Sequence, residues 1–159
     1  MDFRVGTGYD VHRFAKDRKL IVCGVEIEHE EGLLGHSDAD VAIHALIDAL
    51  CGAACIGDIG KLFPDNDQQY KGISSRILLD MSMKLLRERG WELNNADITI
   101  VAQAPKFAPH IEKMRQTLAD TMHCDKDRIS VKATTTEHLG FTGRKEGIAS
   151  YAAVTIVKK

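Results

Sequence analysis

The stretch "FRVGTGYDVHRF", residues 3–14, reads as a β-strand that carries Asp10 and His12 beside two glycines. On an extended chain, residues i and i+2 point to the same face. The Asp10 carboxylate and the His12 imidazole therefore converge. Together they supply two-thirds of a metal site and leave one ligand to be found.

Outward from this strand, the polar "AKDR" leads into "KLIVCGVEI", which reads as a second strand. "SDADVAIHALIDALCG" reads as a helix, because Val41, Ala45, Leu46 and Ala49 recur at helical spacing and Gly52 supplies a stop. Next comes "AACIGDIGKLFPDNDQQYKG", a long Gly- and Asp-containing loop of the kind that is often functional in compact domains. "ISSRILLDMSMKLLRERG" is an amphipathic helix with Arg87 and Arg89 in its last turn and Gly90 as its cap. "ADITIVAQAP" reads as a strand, "HIEKMRQTLADTMH" as a helix, "RISVKATTTE" as a strand and "GIASYAAVTIVKK" as the final strand. This order predicts an α+β fold, a mixed β-sheet with helices packed on one face.

The 159 residues are 44% hydrophobic and 28% charged, and no linker or repeat interrupts them, so one domain over residues 1–159 is expected. A chain of this length buries roughly 70% of its unfolded surface, enough for a core without staples. The net charge of -2 comes with no Lys or Arg run, which argues against a nucleic-acid partner. Cys23, Cys51, Cys55 and Cys124 lie in apolar stretches and form no CxxC pair. Small buried thiols in a reducing compartment fit them; Cys51 and Cys55, four apart, leave a metal role open. The N-terminus has no apolar signal core, and no apolar run reaches the roughly 18 residues of a membrane span. A cytoplasmic protein with no membrane partner is expected.

His44 offers the third ligand. It shares a helical face with Asp40 and Asp48, each four residues away. Two imidazoles and one carboxylate suit zinc and leave a fourth position open, as catalytic sites do. Asp48 is then a candidate acceptor for an imidazole N–H. Spacing alone also allows an incidental Asp-x-His and a histidine satisfied in the core.

Two further stretches point to phosphate. Ser37 followed by Asp40 resembles a capping box, while a helix N-terminus also binds anions, and both roles compete for the Ser37 hydroxyl. "VKATTTEHLGFTGR", residues 131–144, gathers Thr134, Thr135, Thr136, Glu137, Gly140, Gly143 and the forked cation of Arg144. The threonines alone fit strand propensity. With Glu137 and Arg144 they favour phosphate plus a harder cation such as magnesium, which prefers oxygen ligands. Asp58, Asp65 and Asp67 are either turn residues or contacts to sugar or polyol hydroxyls.

"DVH", "GLLGHSDADV", "GDIGKLFPD", "IVAQAPK" and "VKATTTEHLGFTGRKEGI" together resemble the 2-C-methyl-D-erythritol 2,4-cyclodiphosphate synthase family of non-mevalonate isoprenoid biosynthesis. The resemblance runs from about residue 4 to the last strand, in the family's order and spacing. It implies a phosphorus–oxygen lyase acting on 4-diphosphocytidyl-2-C-methyl-D-erythritol 2-phosphate. The 2-phosphate attacks the β-phosphorus, CMP leaves and the cyclic diphosphate closes.

By the same resemblance, Asp10, His12 and His44 match zinc ligands, and Asp10 and His12 also border the substrate. His36 and Thr135 match transition-state stabilisers, with Ser37 near the phosphates. Asp58, Ile59 and Gly60 match the methylerythritol contacts, and Phe63, Pro64, Asp65, Asn66 and Asp67 a flexible loop over it. Ala102, Gln103, Ala104, Pro105, Lys106, Phe107 and Ala108 match the cytosine pocket, with Thr134 and Thr136 near the nucleotide. Glu137 matches the ligand of a magnesium or manganese ion on the diphosphate.

The resemblance further implies a homotrimer with active sites between subunits. Arg144 and Glu146 match residues near the threefold axis, where family members can hold an isoprenoid diphosphate, and Phe141 and Arg144 also match substrate-binding positions. Tyr9 stands where many members carry phenylalanine, and His138 where others can carry lysine, so that axial ligand stays open here. Two other readings fit part of the pattern. A zinc phosphohydrolase would use the same triad to activate water, and a trimeric isoprenoid-diphosphate binding module would bind without turnover.

Overall fold

Strand β1 (Phe3–Ala15) forms over the stretch that the alternating pattern marks. The computed structural model describes residues 2–159. Five strands make the main sheet among these residues, in the order β4-β1-β7-β5-β6. β1 pairs antiparallel with β4 (Gly32–Leu33) on one side and with β7 (Gly147–Lys158) on the other. β7 pairs antiparallel with β5 (Trp91–Val101), and β5 parallel with β6 (Ile129–Thr134). The sheet is mixed, as expected.

Three helices cover it: α1 (Val41–Ala54), α3 (Ser75–Glu88) and α4 (Ile111–Met122). On the covered face Ala96, Ile98, Ile100, Ala152, Val154 and Ile156 are buried. Each large aliphatic side chain buried this way contributes about 1.5–3 kcal/mol. The opposite face is bare, with Phe3 and Val5 each 60% exposed, Tyr9 47% and Tyr151 54%. Tyr9 and Tyr151 are register partners there, with ring centroids 4.7 Å apart.

Glycine brings β1 and α1 together. A Cβ on Gly6 would lie 2.0 Å from the Ala49 carbonyl oxygen, and one on Gly8 1.9 Å from that of Ala45. With only hydrogens there, the helix backbone rests on the strand. The strand's helix-facing positions then run Gly6, Gly8, Asp10, His12, and His44 stands beside Ala45. The glycines next to Asp-x-His are what allow the helix to deliver the third ligand.

Several local expectations are corrected. "KLIVCGVEI" is a tight hairpin of β2 (Leu20–Val22) and β3 (Val25–Ile27), because Cys23 and Gly24 take positive φ of 52° and 72° at its turn. The first helix starts at Val41, with Asp40 rather than Ser37 as its N-cap, so no Ser37–Asp40 capping box forms. It also runs past Gly52 and ends at Cys55 in the left-handed region. The loop after it holds α2 (Ile59–Leu62) and a 3-10 turn at Gln68–Tyr70. β5 starts earlier than expected, at Trp91, and ends before Ala102. Cys23 and Cys51 are buried as expected, whereas Cys55 is exposed and Cys124 half-buried. No helix among the described residues is long and apolar enough to cross a membrane.

Candidate active site

Asp10, His12 and His44 meet at one end of the β1–α1 seam. Asp10 Oδ2 lies 2.9 Å from His12 Nε2 and 3.2 Å from His44 Nδ1, and the two ring nitrogens are 3.1 Å apart. Four ligands about 2.0–2.1 Å from a tetrahedral zinc are about 3.3 Å from one another, close to this triangle. Asp10 Oδ2 is the buried side-chain polar atom that receives no well-formed hydrogen bond among the described residues. The donor set and this orphaned oxygen fit a divalent metal, and these residues form the one such group among those described.

Charge at the triad follows from burial and proximity. Burial alone would raise the Asp10 carboxyl, but the two imidazoles outweigh it and hold it at about 2. Burial works to lower His12, and the Asp10 carboxylate overcomes it and raises the ring above its ordinary value. His12 Nδ1 lies 2.8 Å from the Leu34 carbonyl, which can only accept, so Nε2 is left bare toward the triad.

Asp48 does not serve an imidazole. Its Oδ1 accepts the Ile59 amide at 2.8 Å, which fastens α2 to α1, and burial raises its carboxyl. His44 Nε2 instead contacts Ser75 Oγ at 2.9 Å and Ser37 Oγ at 3.1 Å. Asp40 makes no side-chain hydrogen bond to the triad. It is fully buried and accepts the amides of Cys23, Gly24 and Ile43. Burial and the nearby Asp38 push its carboxyl up to about 6 against the Gly24 and Ile43 amides, which lower it.

A cleft of about 460 Å³ opens over the triad, lined by His36, Ser37, Ile59, Gly60, Phe63, Pro64 and Asp65 among others. His36 is held by the Asp67 carbonyl at 3.1 Å, and Arg18 donates to the Leu33 and Ser37 carbonyls at 2.6 and 2.9 Å. Asp58 and Asp67 cap the two short helical turns of the rim, which realises their turn chemistry. Asp65 and Asn66 remain exposed.

The remaining predicted residues stand apart. Val11 pairs with Ala149, Ala149 with Val101, and Val101 with Thr134. Thr134 is thus three strands from the triad's strand, about 14 Å at the usual strand spacing. Residues 102–108 sit beside it, joined by the Ala102 amide to the Thr134 carbonyl at 3.0 Å, and the Ala104–Pro105 peptide is cis. Thr135 Oγ accepts the Glu137 amide at 3.2 Å, Gln103 Oε1 accepts the His138 amide at 3.1 Å, and Thr136 contacts Thr142. Phe141 is exposed, and Arg144 pairs with Glu146 at 2.8 Å. One chain therefore brings the triad, His36, Ser37 and the 58–65 rim together, and leaves residues 102–108 and 134–137 on a separate strip. Ser75, Asp38 and Arg18, which shape the triad's surroundings, carry no local sequence signal.

The YgbB family model matches residues 3–157. A 2-C-methyl-D-erythritol 2,4-cyclodiphosphate synthase of Shewanella sp. (strain W3-18-1) is 58% identical over 159 residues, all of this chain and 99% of its own length. Among solved structures, the bifunctional IspDF from Campylobacter jejuni superposes with a TM-score of 0.96 at 46% identity; the match covers 99% of this chain and 43% of that longer one. A Plasmodium falciparum IspF in complex with CDP superposes with a TM-score of 0.86 at 32% identity, covering 99% and 97% of the two chains.

Proposed function

The chain belongs to the YgbB family, and from that premise we propose that it performs the cyclisation for which its synthase relatives are named. It takes 4-diphosphocytidyl-2-C-methyl-D-erythritol 2-phosphate to the cyclic 2,4-diphosphate and CMP. The observation that carries this reading is the convergence of Asp10, His12 and His44 beneath a cleft that also holds His36 and Ser37.

The nucleophile is a phosphate oxygen, already ionised near neutral pH, so the site needs no strong general base. Its main task is to fold the substrate back until that oxygen meets the β-phosphorus. Asp58, Ile59 and Gly60, with Phe63 to Asp67 above them, hold the methylerythritol portion on the rim. His36 and Thr135 donate to the phosphate oxygens as charge shifts toward the leaving CMP, and Ser37 assists. Residues 102–108 with Thr134 and Thr136 hold the cytidine. Zinc held by Asp10, His12 and His44, and magnesium or manganese on Glu137, would supply Lewis-acid charge to the diphosphate. Glu137 is an exposed carboxylate, an oxygen donor that suits a hard cation completed by substrate phosphates.

We assign the chain to a homotrimer of single-domain subunits. The bare sheet face supports this, since a contiguous apolar surface around Phe3, Val5, Tyr9 and Tyr151 is costly in water. The distance between triad and nucleotide strip supports it too, because a neighbouring subunit's strip can close the site that one chain leaves open. Arg144 and Glu146 then stand near the axis, where an isoprenoid diphosphate is the candidate ligand. With four free cysteines, the chain fits a reducing cytoplasm.

A phosphorus NMR assay with the cytidyl diphosphate substrate and magnesium tests the reading. Cyclic diphosphate and CMP from the parent, and neither from a folded His44→Ala variant, are expected. A linear phosphate product would overturn it in favour of hydrolysis.

A further inference from the structure

We infer that Ser75 and Asp38 act as positioning residues that fix the ring and the tautomer of His44 for metal binding. The inference rests on the metal site of the proposed function. Ser75 opens α3 and is 0% exposed, 31 residues from His44 in sequence. Its hydroxyl donates to Asp38 Oδ1, and its amide donates to Asp38 Oδ2 at 3.0 Å. The Asp40 amide also donates to Asp38 Oδ1, at 3.2 Å. Three donors converge on one carboxylate, an arrangement that suits its ionised, acceptor-only form.

The proton count then runs in one direction. A serine hydroxyl has one proton, and that of Ser75 is committed to Asp38. In its 2.9 Å contact with His44 Nε2, Ser75 Oγ must therefore accept. Nε2 carries the hydrogen, and Nδ1 presents its lone pair. Nδ1 is the atom that faces Asp10 Oδ2 and His12 Nε2. Ligating histidines generally donate their second N–H to such a partner, and loss of that partner typically weakens metal binding 10–100-fold.

The relay has a consequence for Ser37. Its Oγ accepts the Ala39 amide at 3.2 Å, and the His44 Nε2 hydrogen is already directed to Ser75. The Ser37 proton is thus free for an anionic oxygen in the cleft. His12 needs no comparable side chain, since the Leu34 carbonyl fixes its tautomer. One ring is set by backbone and the other by the Ser75 hydroxyl of α3, itself held by Asp38 from the segment that precedes α1.

Zinc competition against a chromogenic chelator, with ¹⁵N NMR of the His44 ring in the zinc-free full chain, tests the relay. For Ser75→Ala the expected results are affinity down about 10–100-fold and loss of the single Nε2–H tautomer. Asp38→Asn, which keeps size and one acceptor, should weaken the site in the same direction but by less than Ser75→Ala. If Ser75 and Asp38 merely docked α3, the variants would melt earlier yet keep affinity and tautomer when folded, and that result overturns the relay. Should Ser75→Ala not fold, Asp38→Asn decides: a weakened site with a shifted tautomer supports the relay, and an unchanged one overturns it. A parent chain that binds no zinc overturns the metal reading and the relay together.

Discussion

Asp10, His12 and His44 stand on the interior of a paired strand and on a buried helix, whereas residues 102–108 and 134–137 stand at or beyond the ends of theirs. The triad's atoms are half-buried, and each histidine ring has a partner behind it. The threonines and Glu137 are mostly exposed, with contacts mainly to their own segment. The first region is finished by the chain that carries it. The second is shaped but uncovered. A metal site needs tenths of an ångström and gains from sheet and helix, while an exposed strip at the ends of strands is free to admit and release a ligand.

The sharpest way to break this contrast is to remove a function from each region and ask what else changes. His44→Ala should abolish cyclisation, by about 10³-fold or more, and take zinc binding with it; turnover and metal content measured together check this. Thr135→Ala should cost about 10²–10³-fold in kcat, the scale of a lost transition-state donor, with zinc affinity unchanged. If Thr135→Ala also lost its metal, the two regions would not be separable.

Gly8→Ala probes the seam itself. A methyl 1.9 Å from the Ala45 carbonyl forces strand and helix apart. The expected cost is about 3 kcal/mol, visible in denaturant unfolding, and zinc affinity should drop with it. An equally stable variant with an intact site would show that the glycines do not set the spacing.

A milder perturbation is pH. Metal binding requires bare ring nitrogens. Because Asp10 raises His12 above its ordinary value, zinc affinity should begin to fall above about pH 6.5 as the medium is acidified. In the metal-free protein the sign reverses. The Asp10–His12 pair stabilises the fold fully between about pH 4 and 6.5. That contribution is lost as pH rises through the raised His12 value or falls toward the Asp10 value of about 2. Titrations of zinc affinity and of metal-free stability should therefore slope oppositely. The smallest effect belongs to the exposed Asp97–Lys132 pair on the bare face. In an isolated chain Lys132→Ala should cost less than about 1 kcal/mol; a clearly larger loss in the intact assembly would mean that this face is covered.

The strands and helices were legible where periodicity runs long, as in β1, α3 and β7. Periodicity failed at "KLIVCGVEI", because two residues with positive φ fold an apolar run back on itself without a Pro or an Asn-Gly to announce it. It also misplaced the first helix start, where Ser37 and Asp40 both carry capping chemistry and only the hairpin's amides show which one turns inward. Within the site, Asp10 and His12 could be paired from spacing, since two residues on a strand share a face. His44 needed the family's motifs to stand out from an ordinary helical histidine. Ser75 and Asp38 were out of reach, because their link spans 37 residues and exists only once α3 docks. Asp48 was assigned to the wrong partner for a related reason: the amide it accepts belongs to a rim turn that the sequence presents as loop.

Asp40 ties three backbone amides from two separate elements to one buried carboxylate. Those amides cannot be released one at a time, since freeing any of them leaves a buried charge short of a donor. The tip of the β2–β3 hairpin and the first turn of the helix that holds His44 therefore belong to one cooperative unit. In hydrogen exchange, Cys23, Gly24 and Ile43 would report a common opening, although 19 residues separate the hairpin from the third of them.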